Sequence, residues 1–357
     1  MATIKTDEPT DVRNGEELDE GKVREYLFSS IPGLSGDFRV RQFPSGFSNL
    51  TYMVSVGERD FILRRPPFGK KAKSAHDMHR EFIMLSNLKP NFRYCPEPVL
   101  YCDDMAVMDC PFYVMERIKG LILRKDLPEG LALIPAEAGK LSRRLIDVLC
   151  DLHDLEFKKI GLADFGKPEG YVKRQVDGWS RRYRDARTPD SPDCENVMGW
   201  LAEKMPQDSV NPCVIHNDYK LDNVVLDPEN HLSIIGILDW EMATIGDPLM
   251  DLGNSLAYWI EEKDPQNMQM LRMMPTNLQG MMTRREQVSY YAEKRGIAVD
   301  NFDYYYCFGL FRLAVIMQQI YYRFFHGQTK DKRFQMLVHG VKIMESVASR
   351  VIEKGEW

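Results

Sequence analysis

Leu18, Val23, Leu27 and Phe28 give residues 17–29 a helical apolar spacing, which predicts a helix stopped by Pro32-Gly33. The period then shortens. Residues 38–43 and 50–56 alternate apolar with polar, as strands do, around the turn-rich stretch 44–49. A tight connection at 57–60 leads to a third strand, 61–65, which ends at Pro66-Pro67 because proline cannot continue a ladder. A helix over 76–88 follows, with Met78, Phe82, Leu85 and Leu88 on one side, and then strands near 99–102 and 112–117.

Beyond residue 117 the pattern becomes helical. Residues 136–155 form a long amphipathic helix, and 212–240 hold short strands. Thr283 and Glu286 make a capping-box pattern that opens a helix closed by Gly296, and 304–325 and 334–353 complete the set. There is no internal repeat of fixed period. The expectation is an α+β chain of two packed lobes. A polar extension (1–24) precedes a small β-rich lobe (25–117), and a larger helical lobe (118–357) follows.

Composition narrows the class. With 44% hydrophobic and 28% charged residues over 357 positions, the chain is not of the disordered type, and it is long enough to bury a core without disulfides. Forty-seven basic against fifty-three acidic residues leave −6, which argues against non-specific nucleic-acid binding. Seven cysteines without a CxxC pair suit reduced thiols in a cytoplasmic protein rather than a zinc site. Residues 1–20 lack a secretion signal, and the charge-free run 313–322 is far short of the ~20 residues that span a bilayer. The expected partner is a small molecule held at a local site, with no nucleic acid and no membrane.

The chemistry concentrates in His216-Asn-Asp-Tyr-Lys-Leu-Asp-Asn223 and the segment that ends in Asp239-Trp-Glu241. Cys213–Ile215 reads as a short strand delivering a polar loop. Residues 224–226 and 232–238 read as a hairpin around Asp227-Pro-Glu-Asn230, which returns Asp239 beside Asn223. Asp218, Asn223 and Asp239 can then converge as hard oxygen groups. Such a set suits Mg²⁺, which takes one or two carboxylates plus substrate phosphates, and phosphoryl transfer uses this arrangement.

These residues resemble the catalytic loop and metal strand of the aminoglycoside phosphotransferase and choline kinase-like family, in the style of the kinase-like region of some acyl-CoA dehydrogenase family proteins. Further segments fit in the same order. Ser45-Gly-Phe-Ser-Asn-Leu-Thr-Tyr52 resembles the nucleotide-covering loop and Phe61-Ile-Leu-Arg-Arg-Pro-Pro67 the third strand. Tyr113-Val-Met-Glu-Arg-Ile-Lys-Gly120 resembles the hinge, and Gly246-Asp-Pro-Leu-Met-Asp-Leu-Gly253 the Gly-Asp-Pro-x-x-Asp-Leu segment. The resemblance spans roughly residues 25 to 345. It implies a bilobal protein-kinase-like fold and the use of ATP and Mg²⁺.

Residue by residue, the resemblance implies that Asp218 orients the acceptor hydroxyl and that Asn223 and Asp239 hold Mg²⁺. His216 and Asp251 would support the loop. Backbone near Glu116 would meet adenine, as would Ile62. Strand alternation sets Ile62 and Arg64 on one face and Leu63 and Arg65 on the other. Arg64 would reach the phosphates, with Glu81 as its ion-pair partner. Arg64 stands where the family more often has Lys, and a guanidinium is larger and shaped differently. The covering loop has one glycine, Gly46, so Ser45, Ser48 and Asn49 would supply hydrogen bonds.

The implied activity is phosphate transfer to a small-molecule hydroxyl. Arg174, Arg181 and Arg182, in a basic run with Arg184 and Arg187, either bind an anionic substrate or form a solvated helix face. The stretch 253–260 has no acid before Glu261, so a hydroxy acid or hydroxyacyl acceptor is favoured over a polycationic aminoglycoside. The alternatives are an antibiotic kinase and a nucleotide-binding module with little turnover.

Overall fold

In the computed structural model, residues 8–44, 49–68 and 77–357 are described, so Ser45, Gly46 and Ser48 lie outside the described residues. The first elements are α1 (Glu20–Ser30), β1 (Phe38–Gln42), β2 (Leu50–Val56), β3 (Arg59–Arg65), α2 (Met78–Leu88), β4 (Pro98–Cys102) and β5 (Phe112–Glu116). Then come α3 (Pro135–His153), α4 (Tyr171–Ala186), α5 (Glu195–Glu203), β6 (Cys213–Ile215), β7 (Val224–Leu226), β8 (Ile234–Ile237) and β9 (Thr244–Gly246). The chain ends with α6 (Pro248–Ala257), α7 (Gln266–Gln269), α8 (Arg284–Arg295), α9 (Phe302–Phe325) and α10 (Leu337–Lys354). Two compact units result. One joins Met1–Ile122 with Asn223–Ala243, and the other joins Leu123–Asp222 with Thr244–Trp357.

The first unit is built on an antiparallel sheet in the order β1-β2-β3-β5-β4. Alternation along the strands decides its two faces. Tyr52, Val54, Phe61, Leu63, Phe112 and Val114 form a buried cluster with Val23 and Leu27 of α1. Arg64, paired in the ladder with Thr51 and Tyr113, belongs to the other face, on the side of α2. The β7–β8 hairpin joins this unit through backbone pairing. Leu121 and Leu226 exchange hydrogen bonds at 2.8 Å, and the Ile237 N–H donates to the Tyr94 carbonyl at 2.7 Å. A Cβ on Gly120 would run into the Leu226 carbonyl, so only glycine lets the two backbones approach this closely.

The second unit is helical around α9, which is buried along most of its length. Asp247 caps α6 by accepting from the Leu249 N–H (2.8 Å) and the Met250 N–H (3.1 Å), and Pro248 fills the first helical position. α6 and α9 cross at Gly253 and Gly309, where a Cβ on either residue would strike main-chain atoms of the facing helix. Gly309→Ala gains ~1 kcal/mol of helix propensity, but no rotamer change relieves a clash with backbone. A net loss of about 1–3 kcal/mol is expected, seen as a lower urea midpoint. Thr283 caps α8 with the expected Glu286 box, and Gly296 closes it in the left-handed region at φ 61°. No helix among the described residues is long and apolar enough to cross a membrane.

Candidate functional site

In the first unit, β3 and α2 bring Arg64 and Glu81 together as the sequence suggests, with Arg64 Nε 3.4 Å from Glu81 Oε2. The hairpin adds two more carboxylates. Arg64 Nη2 lies 3.0 Å from Asp239 Oδ1 and 3.4 Å from Glu241 Oε2. Glu241 also accepts from Asn49 Nδ2 at 2.6 Å. Three carboxylates thus face one guanidinium, and Arg64 and Glu81 are buried. Burial would weaken the Arg64 charge, but Glu81, then Asp239 and Glu241, overcome it and hold the group well above its ordinary pKa. Burial pushes Glu81 up, against the pull of Arg64.

Asn223 and Asp239 flank the open end of the hairpin, where the Leu238 N–H donates to the Asn223 carbonyl at 2.8 Å. Asp239 is left-handed (φ 68°, ψ 64°), a conformation costing about 1–3 kcal/mol for a residue other than glycine. The next residue keeps it there, because Trp240 is buried and its Nε1–H donates to the Ile237 carbonyl at 2.8 Å. Among the described residues, no three His, Cys, Asp or Glu side chains gather at metal-ligand spacing. An amide and a carboxylate at one hairpin end are hard oxygen donors that fit a magnesium site completed by phosphate and water, while Arg64, 3.0 Å from Asp239, would have to share that carboxylate. Ile62 is buried on β3. The Glu116 side chain pairs with Arg59 at 2.6 Å, and the N–H groups of Glu116 and Arg117 donate to Glu97 and Asp60. The hinge donors expected at an adenine are therefore engaged within the sheet.

In the second unit, β6 pairs with β9 and delivers the loop that carries Asp218. Asp251, one turn into α6, accepts the His216 N–H at 2.9 Å and the Asn217 N–H at 2.6 Å, and meets His153 Nε2 at 3.1 Å. Asn217 is left-handed at φ 64°, and its Oδ1 accepts from the Tyr171 hydroxyl (3.3 Å) and Asn254 Nδ2 (3.2 Å). His216 is buried, and its Nδ1 lies 3.2 Å from the Asp218 N–H. Lys220 Nζ stands 3.1 Å from Asp218 Oδ2, 3.9 Å from Asp222 Oδ1 and 4.8 Å from the Tyr258 ring centre. Burial opposes that ammonium, but Tyr258, Asp218 and Asp222 raise its pKa. Burial also raises Asp222, against the pull of Lys220.

Burial would raise Asp251 as well, but the hydrogen bond from His153 and the charges around it hold the carboxyl below its ordinary range. The stability it supplies is therefore present above the unfolded Asp pKa of ~3.9 and lost as pH falls through the lower folded value. Asp251→Asn places an amide N–H₂ against backbone donors. It is expected to cost about 1–3 kcal/mol at pH 7 in urea unfolding, with the gap from wild type narrowing below pH 4.

The basic run divides. Arg174 of α4 donates to the Lys167 and Glu169 carbonyls, and Arg184 pairs with Glu195 at 2.6 Å. Arg181 is exposed, and the Arg182 guanidinium lies over the Trp179 ring, 4.6 Å from its centre. Sequence reasoning gave no role to Lys220, Asp222, Glu241, Tyr258 or His153. The first three sit inside the motifs already recognised, two or four residues from an assigned acid. Tyr258 and His153 carry no such signal.

A sequence model of the phosphotransferase enzyme family matches residues 39–274. The chain belongs to this family. Its α+β fold is kinase-like. A crystal structure of a candidate aminoglycoside phosphotransferase from Ralstonia eutropha JMP134 shares 24% identity and a TM-score of 0.79 over 95% of this chain and 99% of that one. The choline kinase of Cryptosporidium parvum, at 14% identity, gives a TM-score of 0.62 over 94% and 97%. By sequence, the chain is 32% identical to acyl-CoA dehydrogenase family member 11 of Gallus gallus over 329 residues, 89% of this chain and 41% of that protein. It spans less than half the length of such relatives.

Proposed function

We propose that the chain transfers the γ-phosphoryl group of ATP, with Mg²⁺, to a hydroxyl of a small molecule, with a hydroxy acid or hydroxyacyl compound as the favoured acceptor. One observation carries this reading. Asn223 and Asp239 share one hairpin end, and Arg64 lies 3.0 Å from Asp239. Asp218 would accept the acceptor's hydroxyl hydrogen bond and take its proton as the oxygen attacks phosphorus. Lys220, beside Asp218 Oδ2, would fix the orientation of the carboxylate. Asn223 and Asp239 would hold Mg²⁺, which when bound neutralises charge on the phosphates. Arg64, held by Glu81, would turn from Asp239 toward a phosphate oxygen.

An anionic or neutral acceptor is favoured because the arginines of α4 oppose a polycation. The seven cysteines are all free and buried, which supports a reducing, cytoplasmic setting. The test is ADP release from Mg·ATP with a panel of hydroxy acids, hydroxyacyl-coenzyme A thioesters and aminoglycosides. A hydroxy acid or thioester is expected to accelerate release, and aminoglycosides are not. A response to aminoglycosides alone would move the assignment to an antibiotic kinase. ATP binding without any acceptor response would make this a nucleotide-binding module.

A further inference from the structure

Trp179 is buried on α4, and two guanidiniums lie over its ring, Arg182 at 4.6 Å and Arg312 of α9 at 5.2 Å from the centre. A third, Arg181, is next in the chain. Like charges gathered this way repel. Partial desolvation, then Arg181 and Arg312, pull the Arg182 pKa down. The attraction of each guanidinium for the indole ring offsets part of that repulsion. Neighbouring arginines are used differently, since Arg184 has Glu195 and Arg174 has two carbonyls. Arg182 has neither a carboxylate partner nor a hydrogen bond among the described residues, and it stays open to solvent.

The cluster is continuous with the Asp218 loop inside the same unit. At the start of α4, the Tyr171 hydroxyl donates to Asn217, the residue before Asp218. The Arg312 charge acts on the phenols of both Tyr171 and Tyr258, and Tyr258 lies against Lys220. We propose that Arg182 and Arg312, stacked on Trp179, form an anion subsite that holds a carboxylate or phosphate of the acceptor while its hydroxyl is presented at Asp218. Trp179 follows Tyr171 by eight residues, about 12 Å along the helix. The anion is therefore set well apart from the hydroxyl, which favours an extended acceptor over a compact one. The inference rests on the proposed phosphotransfer for its purpose, but the subsite itself can be tested by binding alone.

The experiment titrates 10-hydroxydecanoate, its methyl ester and free coenzyme A calorimetrically into wild type and Arg182→Gln, without ATP. Wild type is expected to bind the acid at least tenfold more tightly than the ester, a gap of ~1.4 kcal/mol, and Arg182→Gln is expected to erase it. Should the acid and ester bind alike while Arg182→Gln weakens coenzyme A tenfold, the anion held is a phosphate and the subsite stands. If neither the acid nor coenzyme A loses affinity in Arg182→Gln, or neither binds wild type, the proposal is wrong. Arg182 is exposed, so its loss should leave the melting temperature in place. Arg312→Lys, which keeps charge at the buried position, should weaken the same ligand. A surviving acid preference with no ADP release from any acceptor would overturn the proposed function and leave the subsite intact.

Discussion

Asp218→Asn is expected to lower phosphotransfer by about 10²- to 10⁴-fold, the range for loss of a positioned base, with little change in ATP affinity. Asn matches Asp in shape and still accepts a hydrogen bond from a hydroxyl, but it cannot take the proton. The cost should therefore fall on turnover, because the nucleotide contacts proposed here belong to Asn223, Asp239 and Arg64. One side effect must be controlled. Lys220 lies 3.1 Å from Asp218 and is mostly buried, so the variant leaves its charge to Asp222 and the Tyr258 ring. A melting curve separates that loss of stability from loss of chemistry. Single-turnover ADP release together with ATP calorimetry checks the prediction. Equal losses in binding and turnover would mean that Asp218 acts on the nucleotide instead.

Asp239→Asn should have the second large effect, a loss of ~10²-fold or more in turnover. A metal's charge stabilisation of several kcal/mol converts to that factor at 1.36 kcal/mol per tenfold. The telling readout is Mg²⁺ affinity of the ADP-bound protein, expected to fall at least tenfold. Glu81 and Glu241 still hold Arg64 in this variant, at 3.4 Å each, so the sheet and hairpin should stay folded. Unchanged Mg²⁺ affinity would show that Asp239 serves only as a partner of Arg64.

The sequence made some of this legible because the physics there is local. Residues 50–56 alternate, and β2 covers Leu50–Val56. Thr283, Glu286 and Gly296 signal the bounds of α8 through capping alone. The resemblance implies a pairing of Arg64 with Glu81, and the two lie 3.4 Å apart. Other features depend on non-local contacts that no periodicity announces. β9 is three residues long and exists because it pairs with β6 some thirty positions earlier. The hairpin at 223–243 follows the whole β-rich segment in sequence, yet groups with it through bonds to Leu121 and Tyr94. Lys220 and Glu241 stand inside the recognised motifs, but their roles come from contacts made only on folding, Lys220 between Asp218 and Asp222 and Glu241 against Arg64. Arg174 is the opposite case, since a basic run on a helix says nothing about which guanidiniums the loop at 167–170 will absorb.

The most direct measurement is ³¹P nuclear magnetic resonance of a reaction containing Mg·ATP, the protein and a hydroxylated acid or its coenzyme A thioester. A new phosphomonoester signal on the acceptor is expected, growing with the ADP resonances and absent with Asp218→Asn. ADP accompanied only by inorganic phosphate, or a phosphomonoester formed as fast by Asp218→Asn, would contradict it.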